Sequence, residues 1–448
     1  MEHKTFICSF ITNLCFMLIE FSVGNFKSFK DIQVLPMQAA KIKSKYPDVD
    51  KNNVFVAPND TVLLKSKGVF GANASGKSNL IEAIIIFLRI VESSVKDERI
   101  ISQTVKPYNL SSEINSSAPS FFQISFILED TSYRYGFEVK EGLIVSEWLF
   151  GTPNEREVHY FVREDMDLEI NKSRFKEGER LASLEIDDLT IFRSNSLFLG
   201  VVTAFGGKLS KKIMACLTAN TTVITGIDDE IINQVSFNFF KNKDFRAKIV
   251  DMIRAADVGI QDLELIEGTQ QDLSLDARKN LENVDVAAFI LAKKRIYNEK
   301  GKPIGLYAFN LHEDEAEGTK KMFTLAPFVI KTLDNPNGGL LIIDELDARM
   351  HPLLSRKIVE LFNSNQTNPN NAQLIFVTHD TNFLDAKLLR RDQITFVKRD
   401  KYGASSIYSL ADYKGVRNDA SFERDYLKGK YDAIPFLNEM DNLFLQNS

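Results

Sequence analysis

The sequence predicts an α/β fold, a mixed β-sheet with flanking helices plus an antiparallel β-meander, interrupted by a mainly helical insertion. Three observations lead there. Gly71-Ala72-Asn73-Ala74-Ser75-Gly76-Lys77-Ser78 satisfies the phosphate-loop pattern G-x-x-x-x-G-K-[ST], between an extended run (62–70) and an apolar helix (79–91). Two short, fully apolar runs, 340–343 and 374–377, read as buried parallel strands. Between Phe122 and Phe150 apolar residues alternate with period two in three successive segments.

Composition is compatible with this class. The chain has 448 residues, enough for two or three domains, with 44% apolar and 26% charged residues, as in soluble globular proteins. A formal net charge of −6 argues against a globally basic nucleic-acid binder, though not against a local basic groove. Cys8, Cys15 and Cys216 have no metal-like spacing, which points to a reducing, cytoplasmic setting. The apolar stretch 5–19 is short for a membrane span of ~20 residues, and no cleavage site follows it. Met17 therefore reads as the working start, with residues 1–16 an N-terminal extension.

Residues 17–150 form the first half of the expected core. A strand from Met17 and a second at 32–35 flank the turn Gly24–Phe29, and a polar connection fills 37–60. Phe122, Ile124, Phe126 and Leu128 share one face of the meander; Tyr133, Tyr135, Phe137 and Val139 share another; 143–150 follows. Residues 151–303 carry helical patterns near 209–220, 244–257 and 274–298, with an extended stretch at 261–267, and read as the insertion or lid. Lys293-Lys294-Arg295 reads there as a solvated helix face. Residues 304–448 return to α/β order: a helix over 318–333, breakers at Asp334–Gly339, strand 340–343, helix 352–362, strand 374–377, late strands at 394–398 and 407–410, and a helix at 421–427.

The chemistry follows from position. Glycines let the loop turn tightly, so that its N–H groups converge on phosphate oxygens at a helix start. Gly71, Asn73, Ser75, Gly76, Lys77, Ser78 and Asn79 are the candidate ATP contacts. Lys77 reaches toward the β/γ phosphates, and the Ser78 hydroxyl is a candidate Mg2+ ligand. Strand 340–343 ends in Asp344 and Glu345, at the sheet edge where α/β proteins bind ligands. Asp344 is the second candidate Mg2+ ligand, and Glu345 the candidate general base for the attacking water. Strand 374–377 delivers His379 to the same edge as a candidate γ-phosphate sensor.

In this order — phosphate loop, long insertion, Asp344-Glu345, strand-end histidine — the chain resembles ABC-type ATPase heads, including SMC, RecF and overcoming-lysogenisation-defect proteins. It is more similar to the bacterial ATPases of abortive-infection and anti-phage loci, through GANASGKSN (71–79), DELDARMHP (344–352), THDTNFLD (378–385), RRDQITFV (390–397) and YLKGKYDAIP (426–435). The resemblance spans most of 17–435 and is weakest in 151–300. It implies an ATP sandwich between two copies, a homodimer or higher homo-oligomer. Asp347 would then be the interface-crossing residue, and Gly318 and Thr319 would contact the nucleotide of the other subunit. Asn25 and Lys27 would lie near the nucleotide. Ala316 stands where a signature serine is expected, Asp432 replaces a glycine, and Gln103 and Gln123 are weak matches to a Q-loop glutamine.

The function implied is a Mg2+-dependent ATP-hydrolysing switch in anti-phage defence. It would control an effector, a nuclease or toxin from the same operon, in response to DNA or a phage-derived trigger, with no membrane involved. A RecF/SMC-like DNA-repair ATPase and an ATP-dependent assembly scaffold with little turnover are the alternatives. A built-in nuclease is not expected, because about 13 residues follow Pro435.

Overall fold

The computed structural model describes residues 15–110, 118–183, 192–225, 230–256, 259–268, 287–416 and 421–434. Two compact units divide the chain. The first comprises Met1–Thr225, Leu333–Leu346 and Val359–Ser448; the second comprises Gly226–Thr332 and Asp347–Ile358. No described helix is long and apolar enough to cross a membrane.

The first unit opens with β1 (Phe16–Gly24), β2 (Gln33–Pro36), a ribbon of β3 (Val54–Val56) with β4 (Val62–Leu64), and β5 (Ser66–Phe70). After helix Lys77–Ser93 come β6 (Ser120–Leu128), β7 (Thr131–Lys140), β8 (Leu143–Asn154), β9 (Arg156–Glu164) and β10 (Asp167–Ile170). These complete an antiparallel sheet in the order β10-β9-β8-β7-β6-β1-β2. Further along the chain lie β11 (Thr221–Ile224) and, in the second unit, β12 (Ile260–Gly268), β13 (Ala287–Tyr297) and β14 (Pro303–Asn310). Last come β15 (Leu340–Ile343), β16 (Gln373–Val377), β17 (Ile394–Arg399) and β18 (Ser405–Ser409).

The central sheet has the order β11-β15-β16-β5-β17-β18, parallel throughout except for β18. Its inner strands are buried on both faces, as the uninterrupted apolar runs of β15 and β16 require. Helix Lys77–Ser93 is apolar nearly all round because its core includes side chains of both sheets. Phe87 meets Phe21 edge-on at 5.8 Å and stacks on Phe137 at 5.3 Å, while Val69 and Ile375 come from the central sheet. Full burial of each such Ile, Leu or Phe is worth roughly 1.5–3 kcal/mol, so the helix that starts at the phosphate loop is firmly anchored.

Several expectations need correction. Residues 1–14 lie outside the described residues, but Phe16 already opens β1, buried against Phe126 with its N–H on the Asn337 carbonyl at 3.2 Å. Strand β1 thus includes Phe16, ahead of Met17. The 37–60 connection holds a short helix, Pro47–Asn52, with proline at its first turn, and the run 62–70 is split at buried Lys65. The boundary at 150 falls inside β8, and β9 and β10 extend the meander. β11 joins the central sheet, so the segment 151–303 is not one insertion.

The second unit is itself mixed. Helices Glu230–Lys241 and Lys243–Ala255 accompany the antiparallel sheet β12-β13-β14. The helix expected over 274–298 is strand β13 where it is described; 274–286 lie outside the described residues. Its sequence AAFILAKKRIY satisfies both periods, and only pairing with β12 and β14 decides between them. The second half of the head likewise does not start at 304, which lies in β14.

One buried ion pair fixes the meander to helix Phe198–Ala204. Glu147 accepts from Tyr135 Oη (2.9 Å) and from the N–H groups of Phe198 (2.6 Å) and Leu199 (3.1 Å), 3.6 Å from Arg163. Both side chains are fully buried, and burial pushes the Glu147 carboxyl up while the Arg163 guanidinium opposes it. Removing one member of such a pair strands the other. Glu147→Ala is therefore expected to cost about 3–5 kcal/mol of unfolding free energy in urea denaturation; a loss below ~1 kcal/mol would show that the pair is dispensable.

Candidate nucleotide-binding site

β5 runs directly into the phosphate loop, and helix Lys77–Ser93 leaves it. Two glycines are required by geometry. Gly71 and Gly76 have φ of 152° and 112°, and a Cβ on either would collide, with the Val397 carbonyl oxygen or the Ser405 hydroxyl. The helix start carries no side-chain cap, which suits its N–H groups to an anion. Lys77 is buried and donates from Nζ to the carbonyls of Gly71 and Ala72, each at 2.8 Å. Asn73 and Ser78 are exposed, whereas Ser75 is buried with its Oγ lacking a hydrogen-bond partner. A buried hydroxyl without a partner is uncommon and marks the loop as a site to be explained.

β15 and β16 end beside this loop, with β16 lying between β15 and β5. Asp344 is buried and takes a hydrogen bond from the Ser78 side chain. Burial holds its carboxyl above the ordinary aspartate range. Glu345 adds to the rise, while Ser78 and the Lys77 charge oppose it. Asp344 Oδ1 has no hydrogen-bond partner. A carboxylate with a spare buried oxygen beside a serine hydroxyl is a hard-oxygen donor set that fits magnesium shared with phosphate. Glu345 adopts φ 56°, a left-handed conformation uncommon for a side-chain-bearing residue, and the next N–H, of Leu346, is held by the Val377 carbonyl at 3.0 Å. Backbone held in such a region concentrates at functional sites. His379 is exposed at the end of β16, after buried Thr378, whose N–H bonds the Val69 carbonyl at 3.3 Å. Lys77, Ser78, Asp344, Glu345 and His379 thus all belong to one edge of the central sheet.

The turn after β1 contributes differently from the expectation. Asn25 is buried; its amide donates to the Ala118 carbonyl (2.8 Å) and accepts from the Tyr108 N–H (3.1 Å). It ties loops together, which accounts for its side chain without a nucleotide. Lys27 forms an ion pair with Glu82, on the helix that leaves the phosphate loop. Residues with no sequence signal complete the support. Ser28 Oγ accepts from Asn79 Nδ2 at 2.8 Å, Ser405 Oγ donates to the Ser75 carbonyl at 2.6 Å, and Arg399 Nη1 reaches the Ala74 carbonyl at 3.3 Å. The Ser405 N–H in turn bonds the Ser28 carbonyl at 2.7 Å. β17 beside β5, with β18 paired to β17, brings Arg399 and Ser405 to the loop.

The second unit holds the remaining candidates. Ala316 and Glu317 are exposed at the start of helix Glu317–Asp334, and Gly318 is half-buried beneath the Arg349 carbonyl. Glu317 pairs with Arg349 (2.6 Å) and Lys320 (2.9 Å). Thr319, expected at a nucleotide, is buried, and its N–H is spent on the Ala316 carbonyl at 2.9 Å. In the single chain the Thr319 side chain is thus buried, where the expected nucleotide contact calls for an accessible one. Asp347 is half-buried in the turn that follows Glu345, its carbonyl accepting from the Met350 N–H at 3.2 Å.

A family model agrees with the motif reading. The family model described as "AAA domain, putative AbiEii toxin, Type IV TA system" matches residues 68–385, well over half of the chain. Among solved structures, the SMC head domain from Thermotoga maritima aligns at 14% identity with a TM-score of 0.39, covering 88% of this chain and 98% of that one. No curated protein matches the sequence. With the phosphate loop, Asp344 and His379 all inside the matched stretch, the chain belongs to the ATPase-type family described as AAA domain, putative AbiEii toxin, type IV TA system.

Proposed function

We propose that the chain binds and hydrolyses Mg·ATP at the sheet edge of its first unit, and that this cycle drives a dimeric switch acting on an effector in bacterial anti-phage defence. The observation that carries the reading is Asp344: buried, hydrogen-bonded by Ser78, influenced by Lys77, and left with one unpartnered oxygen. Lys77 and the loop N–H groups hold the β/γ phosphates, and Ser75 Oγ adds a donor from the buried side. Magnesium held by Ser78 and Asp344 would neutralise charge on the phosphates. Glu345 takes a proton from water as its oxygen bonds to the γ-phosphorus; the bond to the β–γ bridging oxygen breaks, releasing ADP and phosphate. His379 donates to the γ-phosphate and couples its presence to the β16 end.

Closure on a second copy would use the Ala316–Gly318 segment, exposed at Ala316 and Glu317, and Asp347. With alanine in place of serine, it rests on fewer hydrogen bonds, each worth about 1.5–3 kcal/mol when made to a charged group. Weak closure suits a switch that a partner completes. The toxin–antitoxin description of the family supports an effector encoded alongside, and ATP places the work in the cytoplasm. The test is phage plating on cells carrying the intact operon, native or with Lys77→Ala. Protection that is lost in the variant is expected; equal protection would separate defence from nucleotide binding.

A further inference from the structure

We propose that β14 is a self-pairing edge, through which two copies of this chain join their three-stranded sheets independently of nucleotide. The sheet order is β12-β13-β14, and among the described residues β14 pairs only with β13. Short of Asn310, whose N–H and C=O bond the Asp314 carboxylate (2.7 Å) and N–H (2.9 Å), its other edge offers unpaired N–H and C=O groups. Proteins protect such edges with charge, brevity or cover. β14 has none of these: Pro303–Asn310 spans eight residues without a charged side chain.

The hairpin of β13 and β14 also stands clear of its own unit. Residues 295–308 are exposed without interruption, including Ile304 (64%), Leu306 (52%) and Tyr307 (59%), with Ile296 and Tyr297 on the neighbouring strand. A two-stranded ribbon exposing apolar side chains on both faces is marginal in water and gains from a further strand.

Charge selects the second copy as that strand's source. The hairpin tip carries Lys300 and Lys302 against Glu299, and neither lysine has an ion-pair partner among the described residues. The loop after β14 carries exposed Glu313 and Asp314. A two-fold axis near the middle of β14 runs the two strands antiparallel. It sets the basic tip of each copy beside the acidic loop of the other, while the uncharged strands meet between them. A surface complementary to itself in this way closes as an isologous dimer.

Sedimentation of the full chain with EDTA and no nucleotide tests this, so that the ATP-dependent dimer proposed above is absent whether or not that reading holds. A concentration-dependent dimer is expected. Leu306→Lys should raise its dissociation constant at least ~10-fold, because like charges then face each other across the axis. Lys300→Glu and Glu313→Lys should each weaken the dimer alone, and mixing the two variants should restore it, since each then offers the charge the other lacks. A chain that stays monomeric without nucleotide, or a dimer indifferent to Leu306→Lys, overturns the assignment.

Discussion

Lys77→Ala protein is expected to bind ATP at least ~10²-fold more weakly than the native chain, a loss of about 3 kcal/mol. Two effects combine. The ammonium group that faces the phosphates is removed, and so are the two 2.8 Å hydrogen bonds by which Nζ holds the carbonyls of Gly71 and Ala72. Helix Lys77–Ser93 remains anchored through Phe87 and its neighbours, so the fold should persist, as a near-ultraviolet circular dichroism spectrum would report. Calorimetric titration with Mg·ATP measures the loss. Affinity within a few-fold of native would remove the loop from nucleotide binding.

Glu345→Gln should do the opposite: bind ATP with near-native affinity but turn it over at least ~10²-fold more slowly, the lower range for losing a general base. The substitution keeps side-chain size and leaves intact the N–H of residue 345, which bonds the Asp344 carboxylate. It removes only the group that accepts the proton. A single-turnover assay separates this from slow product release. Unchanged single-turnover rates would mean that another group activates the water, and His379, exposed at the next strand end, would be the first to examine.

Much of this site was legible before any coordinates. The phosphate loop constrains itself locally, through glycines at positive φ and a helix start. β15 and β16 announce themselves as short apolar runs with polar ends, because strands buried on both faces admit little else. What could not be read depends on contacts between distant segments. Ser405 supports the loop from 330 residues away through a single carbonyl, an arrangement that serine anywhere in a loop could make. The burial of Thr319 is set by packing around helix Glu317–Asp334, not by its neighbours in sequence. β13 reads as helix in sequence because AAFILAKKRIY fits both periods: Ile290 and Ala292 alternate into the core, but residues 295–297 lie in the exposed hairpin and do not extend that alternation.

The most direct test of ATP hydrolysis at this site is release of inorganic phosphate from Mg·ATP by the purified native chain, with Lys77→Ala as the reference. Turnover that requires magnesium and ceases in the variant is the predicted result. No ATP-dependent release from the native chain, or equal release from both proteins, would contradict it.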